Sequence, residues 1–198
     1  MLPDRKRIII MKKYILTFTL MATALILSSY NGGKADSTNA VEEGEKVQWM
    51  TWEQAIERSN SDENPKKIFV DAYTDWCGWC KRMDATTFSH PMVAKYMNEH
   101  FYPVKLDAEQ KEDIVYKGHT FKFVEQGRRG YHELAASLLQ GKMSYPTVIF
   151  LDEEQRLLSP VPGYQPAEGF YKILTYFGND AYKKTDWETY QKSYQSPF

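Results

Sequence analysis

The sequence predicts an α/β domain, a central mixed sheet of about four or five strands with helices on both faces. Three observations predict it. An apolar run, Ile68-Phe69-Val70, leads into Cys77-Gly78-Trp79-Cys80. Tyr145-Pro146-Thr147 opens a second apolar run, Val148 to Leu151. Phe170, Ile173, Leu174 and Phe177 recur at helical spacing after Pro166. Short β-rich runs that alternate with amphipathic stretches are what strands covered by helices require.

The chain has 198 residues, 42% hydrophobic and 15% aromatic, which suffices for one core. Residues 1–35 read as a secretory signal. Arg5, Lys6, Arg7, Lys12 and Lys13 precede an apolar run from Tyr14 to Leu27. A membrane-spanning helix needs about 20 apolar residues, so this run is short for a span. Met11 is an alternative start, and cleavage is expected after Ala35. Leu27-Ser28-Ser29 resembles the lead-in to a lipoprotein signal, but Tyr30 stands where the lipidated cysteine would be. An uncleaved N-terminal anchor is the competing reading. The expected location is exported, periplasmic or otherwise extracytoplasmic. Residues 36–46 are polar and mixed in charge and read as a disordered linker. Residues 47–178 form the domain, with an insertion at about 108–130, and 179–198 form an extension. Without residues 1–35, Lys plus Arg falls from 25 to 19 and Asp plus Glu from 26 to 25, a net charge of −6. That balance argues against a nucleic-acid partner.

In order, Val47 to Met50 is expected as a short strand. Thr51 caps a helix that runs to about Ser59, and Ser61-Asp62-Glu63-Asn64-Pro65 ends it. Ile68 to Tyr73 is a strand, and the helix after it is expected from Cys77 to about Thr86, with Met83 inward. Ser89 is expected to cap a further helix with Pro91 in its first turn. That helix could also continue the previous one through a bend. Phe101 to Asp107 reads as a strand, with Pro103 pointing to an edge or bulge. Runs on either side of Lys117-Gly118 suggest a hairpin, followed by a Gln126–Gly130 loop. This insertion could shape a substrate surface or be a bland elaboration. Tyr131 to Gln140 is expected as a helix closed by Gly141. Tyr145 to Leu151 is a strand, and Arg156 to Ser159 pairs back on it. Pro166 to Phe177 is an amphipathic helix. Trp187, Tyr190 and Tyr194 fall at helical spacing, either docked on the domain or offered to a partner.

Cys77 and Cys80 are the only cysteines. A Cys-x-x-Cys after a strand and at a helix head is a redox arrangement. Unpaired N–H groups and the partial positive charge of the helix start favour thiolate at Cys77. Cys77 therefore reads as the nucleophile and Cys80 as the resolving thiol. A bridge across so short a loop restrains little of the unfolded chain, so the spacing suits chemistry better than stapling. Zinc would need two ligands from His90, His100, His119 or His132, whose spacing fixes no site, so no metal is expected. Haem attachment needs His after the second cysteine, where Lys81 stands.

Asp71-Ala72-Tyr73-Thr74-Asp75-Trp76-Cys77-Gly78-Trp79-Cys80-Lys81 resembles the active-site strand and helix of the thioredoxin superfamily. With Met83, Asp84, Thr87 and Phe88, it is similar to the subfamily that includes the C-terminal periplasmic domain of the bacterial membrane thiol:disulfide interchange reductase. The resemblance runs from Trp49 to Phe177 and is interrupted between Ala108 and Met143. It implies a three-layer thioredoxin-like fold, with Pro146 cis and lying against the disulfide. It implies that Asp71 is buried beneath Cys80 and accepts its proton, with Lys105 nearby. Burial would raise the Asp71 pKa toward a useful range. Trp76, Trp79, Tyr145 and Pro146 are candidate substrate contacts, and Gly78 with Trp79 would tune the redox potential. The expected function is extracytoplasmic thiol–disulfide exchange with protein substrates, as a reductase or isomerase rather than an oxidant. No cofactor is expected beyond a redox-active Cys77–Cys80 disulfide. The expected partners are protein thiols and disulfides, together with a membrane electron donor. The alternative is a thioredoxin-fold module that holds polypeptides without obligatory redox turnover.

Overall fold

The computed structural model describes residues 45–198. The expected signal segment and the linker up to residue 44 lie outside the described residues. The last two linker residues are held by the domain, because Asn98 Nδ2 donates to Glu45 Oε1 and to the Lys46 carbonyl. Among the described residues no helix is long and apolar enough to cross a membrane.

The main sheet has four strands in the order β2-β1-β7-β8. Strand β1 (Lys67–Tyr73) lies parallel to β2 (Phe101–Asp107) on one side and antiparallel to β7 (Thr147–Leu151) on the other. This central position explains its unbroken apolar run, since both faces are covered. Strand β8 (Leu157–Pro162) pairs antiparallel to β7 and forms one edge. At the other edge, β2 tolerates Pro103, and among the described residues its outer side is bridged in parallel at Met50–Val104. The expected Val47–Met50 strand is thus reduced to one bridge.

Side chains alternate between two cores. Ile68, Val70 and Ala72 face helix α1 (Trp52–Ser61), where Trp52 and Ala55 are buried. Thr51 caps α1 through a reciprocal pair with Gln54. Phe69 faces the other way, toward Met83, Phe88, Val93 and Phe170. Asp71, two residues on, shares the face of Phe69 by strand period.

After β1 the chain turns into α2 (Gly78–Met83) and continues as one π-helical turn, Asp84–Phe88. Cys77 is the cap of this helix, not its first residue, and the element ends at Phe88 rather than at Thr86. Helix α3 (Pro91–His100) is separate and is capped by His90, not Ser89. Pro91 fits its first position because no hydrogen bond is lost there.

The insertion holds two hairpins, where one was expected. The first, β3 (Ile114–Tyr116) with β4 (His119–Phe121), turns at Lys117-Gly118, both at positive φ. The second pairs β5 (Phe123–Gln126) with β6 (Arg129–His132). The expected Gln126–Gly130 loop is therefore a hairpin end. The helix expected from Tyr131 begins only at α4 (Glu133–Leu138), capped by His132 Nδ1. Tyr131 and His132 are held by cross-strand pairing instead, which overrides their local preference.

Helix α5 (Ala167–Gly178) buries Phe170, Ile173, Leu174 and Phe177. A single 3₁₀ turn, Ala181–Lys183, leads to α6 (Trp187–Ser193). Trp187 and Tyr190 lie 5.1 and 5.0 Å from the Tyr176 ring, so α6 docks on α5.

Candidate functional site

Cys77 and Cys80 form a disulfide, with Cα atoms 5.3 Å apart. Cys77 ends the extended run out of β1, and its Sγ accepts the Cys80 amide at 3.0 Å. The sulfur of the outer cysteine therefore sits on the exposed N–H groups of a helix start, where negative charge is stabilised. Cys77 is 4% exposed and Cys80 2%. The two tryptophans beside them are open, Trp76 at 51% and Trp79 at 56%.

Asp71 is buried on β1, the strand that leads into the pair, on the face that by strand period also carries Phe69. Lys105, its register partner on β2, donates to Asp71 Oδ2 at 2.7 Å and also to Asp84. Among the described residues, Asp71 Oδ1 has no hydrogen-bond partner. Burial pushes the Asp71 carboxyl up to about 6, although Lys105 pulls it down. On Lys105 burial disfavours the charge, but Asp71 and Asp84 outweigh this and raise its pKa. The ammonium also lies 4.8 Å from the Trp49 ring centroid and 5.1 Å from that of Tyr73.

The Tyr145–Pro146 peptide is cis. Pro146 is buried, and its carbonyl accepts the Gly163 amide at 2.8 Å. The Tyr145 ring meets Trp76 edge-on at 6.0 Å. Burial, with Glu109 and Asp107 nearby, pushes its hydroxyl up to about 12, so it stays protonated near neutral pH.

Each tryptophan is fixed by residues that the motif does not contain. Trp76 Nε1 donates to Glu109 Oε1 at 3.0 Å, and the Arg129 guanidinium lies 4.2 Å from its ring centroid. Glu109 and Arg129 belong to the insertion, and Arg129 is the first residue of β6. Trp79 lies 5.4 Å from Tyr164 and from the Arg82 guanidinium. Tyr164 also hydrogen-bonds the Thr86 hydroxyl at 3.0 Å. Gly78 has open space beside it, so no packing demand explains a glycine there. Asp84 is visible in the sequence only as part of the motif, without a role, and Arg82, Glu109, Arg129 and Tyr164 do not stand out there as site residues. The paired arginines of the Gly127–Gly130 turn are a visible signal and Arg82 lies within the motif helix, whereas Glu109 and Tyr164 reach the tryptophans from segments far apart in the chain.

Comparison with known proteins adds the family. The model described as Thioredox_DsbH, protein of unknown function DUF255, matches residues 38–192. The chain is 27% identical over 124 residues to the disulfide bond reductase DsbH of Chlamydia pneumoniae, covering 62% of this chain and 66% of that protein. It is 26% identical over 169 residues to the thiol:disulfide interchange protein DsbD of Haemophilus influenzae, covering 81% of this chain and 26% of that protein. The chain thus spans less than two thirds of either relative. Among solved structures it is similar to one titled DsbH Oxidoreductase, at 19% identity and a TM-score of 0.48 over 78% of this chain and 96% of that one. With its helix-flanked mixed sheet, the chain has a thioredoxin-like fold and belongs to the Thioredox_DsbH (DUF255) family.

Proposed function

We propose that this chain is an extracytoplasmic thiol–disulfide oxidoreductase that reduces or isomerises disulfides in protein substrates. The observation that carries the reading is the Cys77–Cys80 pair at a helix start, with a buried carboxyl of near-neutral pKa on the strand that leads into it. The bridged pair is the oxidised form. In the reduced form the Cys77 thiolate attacks one sulfur of a client disulfide. The client S–S bond breaks, one client sulfur leaves as thiolate, and Cys77 is bound to the other. Cys80 loses its proton and attacks the Cys77 sulfur. The second client thiol leaves and the Cys77–Cys80 bond forms. The client gains two electrons and the protein loses two.

Asp71 is the base we assign to Cys80. A carboxyl near 6 is deprotonated often enough to accept a proton at neutral pH and is basic enough to hold it. Lys105 keeps the ionised form accessible in a buried site. Trp76, Trp79 and Tyr145 are the side chains on which a client strand would lie, Pro146, itself buried, would contribute the cis turn that presents Tyr145, and Gly78 with Trp79 would set the potential between the sulfurs. Turnover as a reductase needs a two-electron thiol donor, for which a membrane reductase is the candidate suggested by resemblance to the interchange protein. Export follows from the basic, apolar start of the chain, which lies outside the described residues.

The test is the equilibrium potential of the pair, with client reduction by wild type, Cys77→Ala and Cys80→Ser. A reductase should lie toward about −270 mV, and a value near about −120 mV would overturn that direction. Cys77→Ala should abolish exchange, and Cys80→Ser should accumulate mixed disulfides. One observation favours the rival reading: the tryptophans are wide open while both sulfurs are nearly covered. If Cys77→Ala kept full biological activity, the protein would be a polypeptide-holding module instead.

A further inference from the structure

The disulfide rim carries two arginines in matching positions. Arg129 lies over the Trp76 ring at 4.2 Å, and Arg82 over the Trp79 ring at 5.4 Å. One comes from the inserted hairpin β5–β6 and the other from helix α2. Each guanidinium lies over an aromatic ring, so less side-chain freedom remains to be lost when an anion docks. Both arginines are exposed. Arg129 has only a long contact to Glu109, at 3.9 Å, and that same Glu109 oxygen already accepts from Trp76. Among the described residues, no carboxylate forms an ion pair with Arg82. Lys81 and Arg128 are exposed in the same two segments. The opposing carboxylates are the exposed Asp75 and Glu112 and the partly buried Asp107 and Glu109 beside Tyr145, while Asp84 is committed to Lys105. The four cations stand on a chain whose residues 36–198 carry a net charge of −6.

Building on the exchange reading, we infer that the rim is a seat for an acidic polypeptide segment, with Arg129 and Arg82 as its two anion contacts astride Cys77. Carboxylates flanking the client cysteine would meet the outward edges of the two guanidinium forks, while the client backbone lies across the tryptophans. The inserted hairpin then has a function in selecting clients, because it carries the Arg129 half of the seat. Charge complementarity of this kind acts chiefly on encounter and register and is screened by salt.

The test uses the reduced full chain and three synthetic disulfide peptides, identical except that their cysteines are flanked by Glu, Gln or Lys. Stopped-flow tryptophan fluorescence gives the rate constant for each. The Glu peptide should react roughly tenfold faster than the Lys peptide at low salt. High salt should bring the ratio below about twofold. Arg129→Gln with Arg82→Gln should collapse the ratio, whereas Lys95→Gln with Lys192→Gln, the same charge change on remote helices, should preserve it. Equal rates for the Glu and Lys peptides in wild type, or a ratio that survives the double arginine change, would overturn the proposal. Anisotropy of a labelled Glu peptide against the Cys77→Ser, Cys80→Ser protein reads the seat without chemistry. If no peptide exchanges yet that binding keeps its charge preference, the redox reading fails and the seat stands. If the peptides exchange without charge preference, the seat fails and the redox reading stands.

Discussion

Two lysines on neighbouring strands each sit between two carboxylates, yet the outcomes differ. Lys67, at the start of β1, meets Glu153 at 2.5 Å and Asp180 at 2.7 Å. Burial opposes ionisation of Asp180, but Lys67 and Lys183 outweigh it and hold the carboxyl below its usual range. Both carboxylates keep access to water, with side chains 29% and 39% exposed. Lys105 meets Asp71 and Asp84, and here one carboxylate is 1% exposed with an unpartnered oxygen. Burial wins at that carboxylate and raises its pKa to about 6. Both are a lysine between two carboxylates. What separates a structural tie from a proton-handling group is the access of one oxygen to solvent.

The comparison can be broken most sharply at Lys105. Lys105→Met leaves Asp71 buried without its cation, which should cost about 2–4 kcal/mol at pH 8. Much of that cost should vanish at pH 5, where Asp71 protonates. Denaturant unfolding at the two pH values checks this, and equal losses would show that Asp71 is not the group affected.

Asp71→Asn should have the opposite sign. A carboxyl raised from 3.8 in the unfolded chain to about 6 in the fold binds more protons when folded. Its ionisation therefore lowers stability as pH rises between those values, and the loss is complete above about 6. Removing the charge should stabilise the protein by about 1–3 kcal/mol at pH 8 and by little at pH 4. Thermal unfolding across that range measures it. The same variant should slow release of mixed disulfides if Asp71 deprotonates Cys80.

Lys67→Met is expected to be milder, about 1 kcal/mol destabilising, because its partly exposed carboxylates can turn to water. The Asp180 contribution has the reverse pH window. Its depressed pKa supports the fold above the normal carboxyl range and is lost on acidification. A loss at Lys67 as large and pH-dependent as that at Lys105 would erase the distinction. The smallest effect belongs to Asp84→Asn. Asp84 raises the Asp71 pKa, so its neutralisation should move that pKa downward by a fraction of a unit, visible as a shifted pH profile of exchange.

The two inserted hairpins divide in the same spirit. Tyr116, in β3, packs edge-on against Trp52 at 5.0 Å and donates to the Gln155 carbonyl, away from the sulfurs. Arg129, in β6, lies over Trp76 beside them. Gly130 follows it, and a Cβ there would sit 2.2 Å from Phe123 Cζ and 2.5 Å from the Val124 carbonyl oxygen. The composition of the insertion suggested one hairpin and left its purpose open. Strand pairing, which joins residues by register rather than by local preference, made it two.

Much of the site was legible because its parts are close in sequence or tied to strong local signals. Cys77 and Cys80 are fixed by a short turn, and Pro146 announces the start of β7. The Asp71–Lys105 pair rested on resemblance, and the register of β1 on β2 places the two side by side. Glu109 and Tyr164 gave no warning, because each reaches a tryptophan from a loop whose path depends on packing elsewhere.

By itself, the sequence determined the alternation of strands and helices, the thiol pair at the head of α2, and the apolar run of β1. These are properties of adjacent residues, set by backbone preference and side-chain period. Tertiary structure alone decided which arginine stands on Trp76, where Lys105 divides its charge, and how dry Asp71 is. Each of these depends on distances between segments far apart in the chain, and on the exclusion of water that only the packed layers produce.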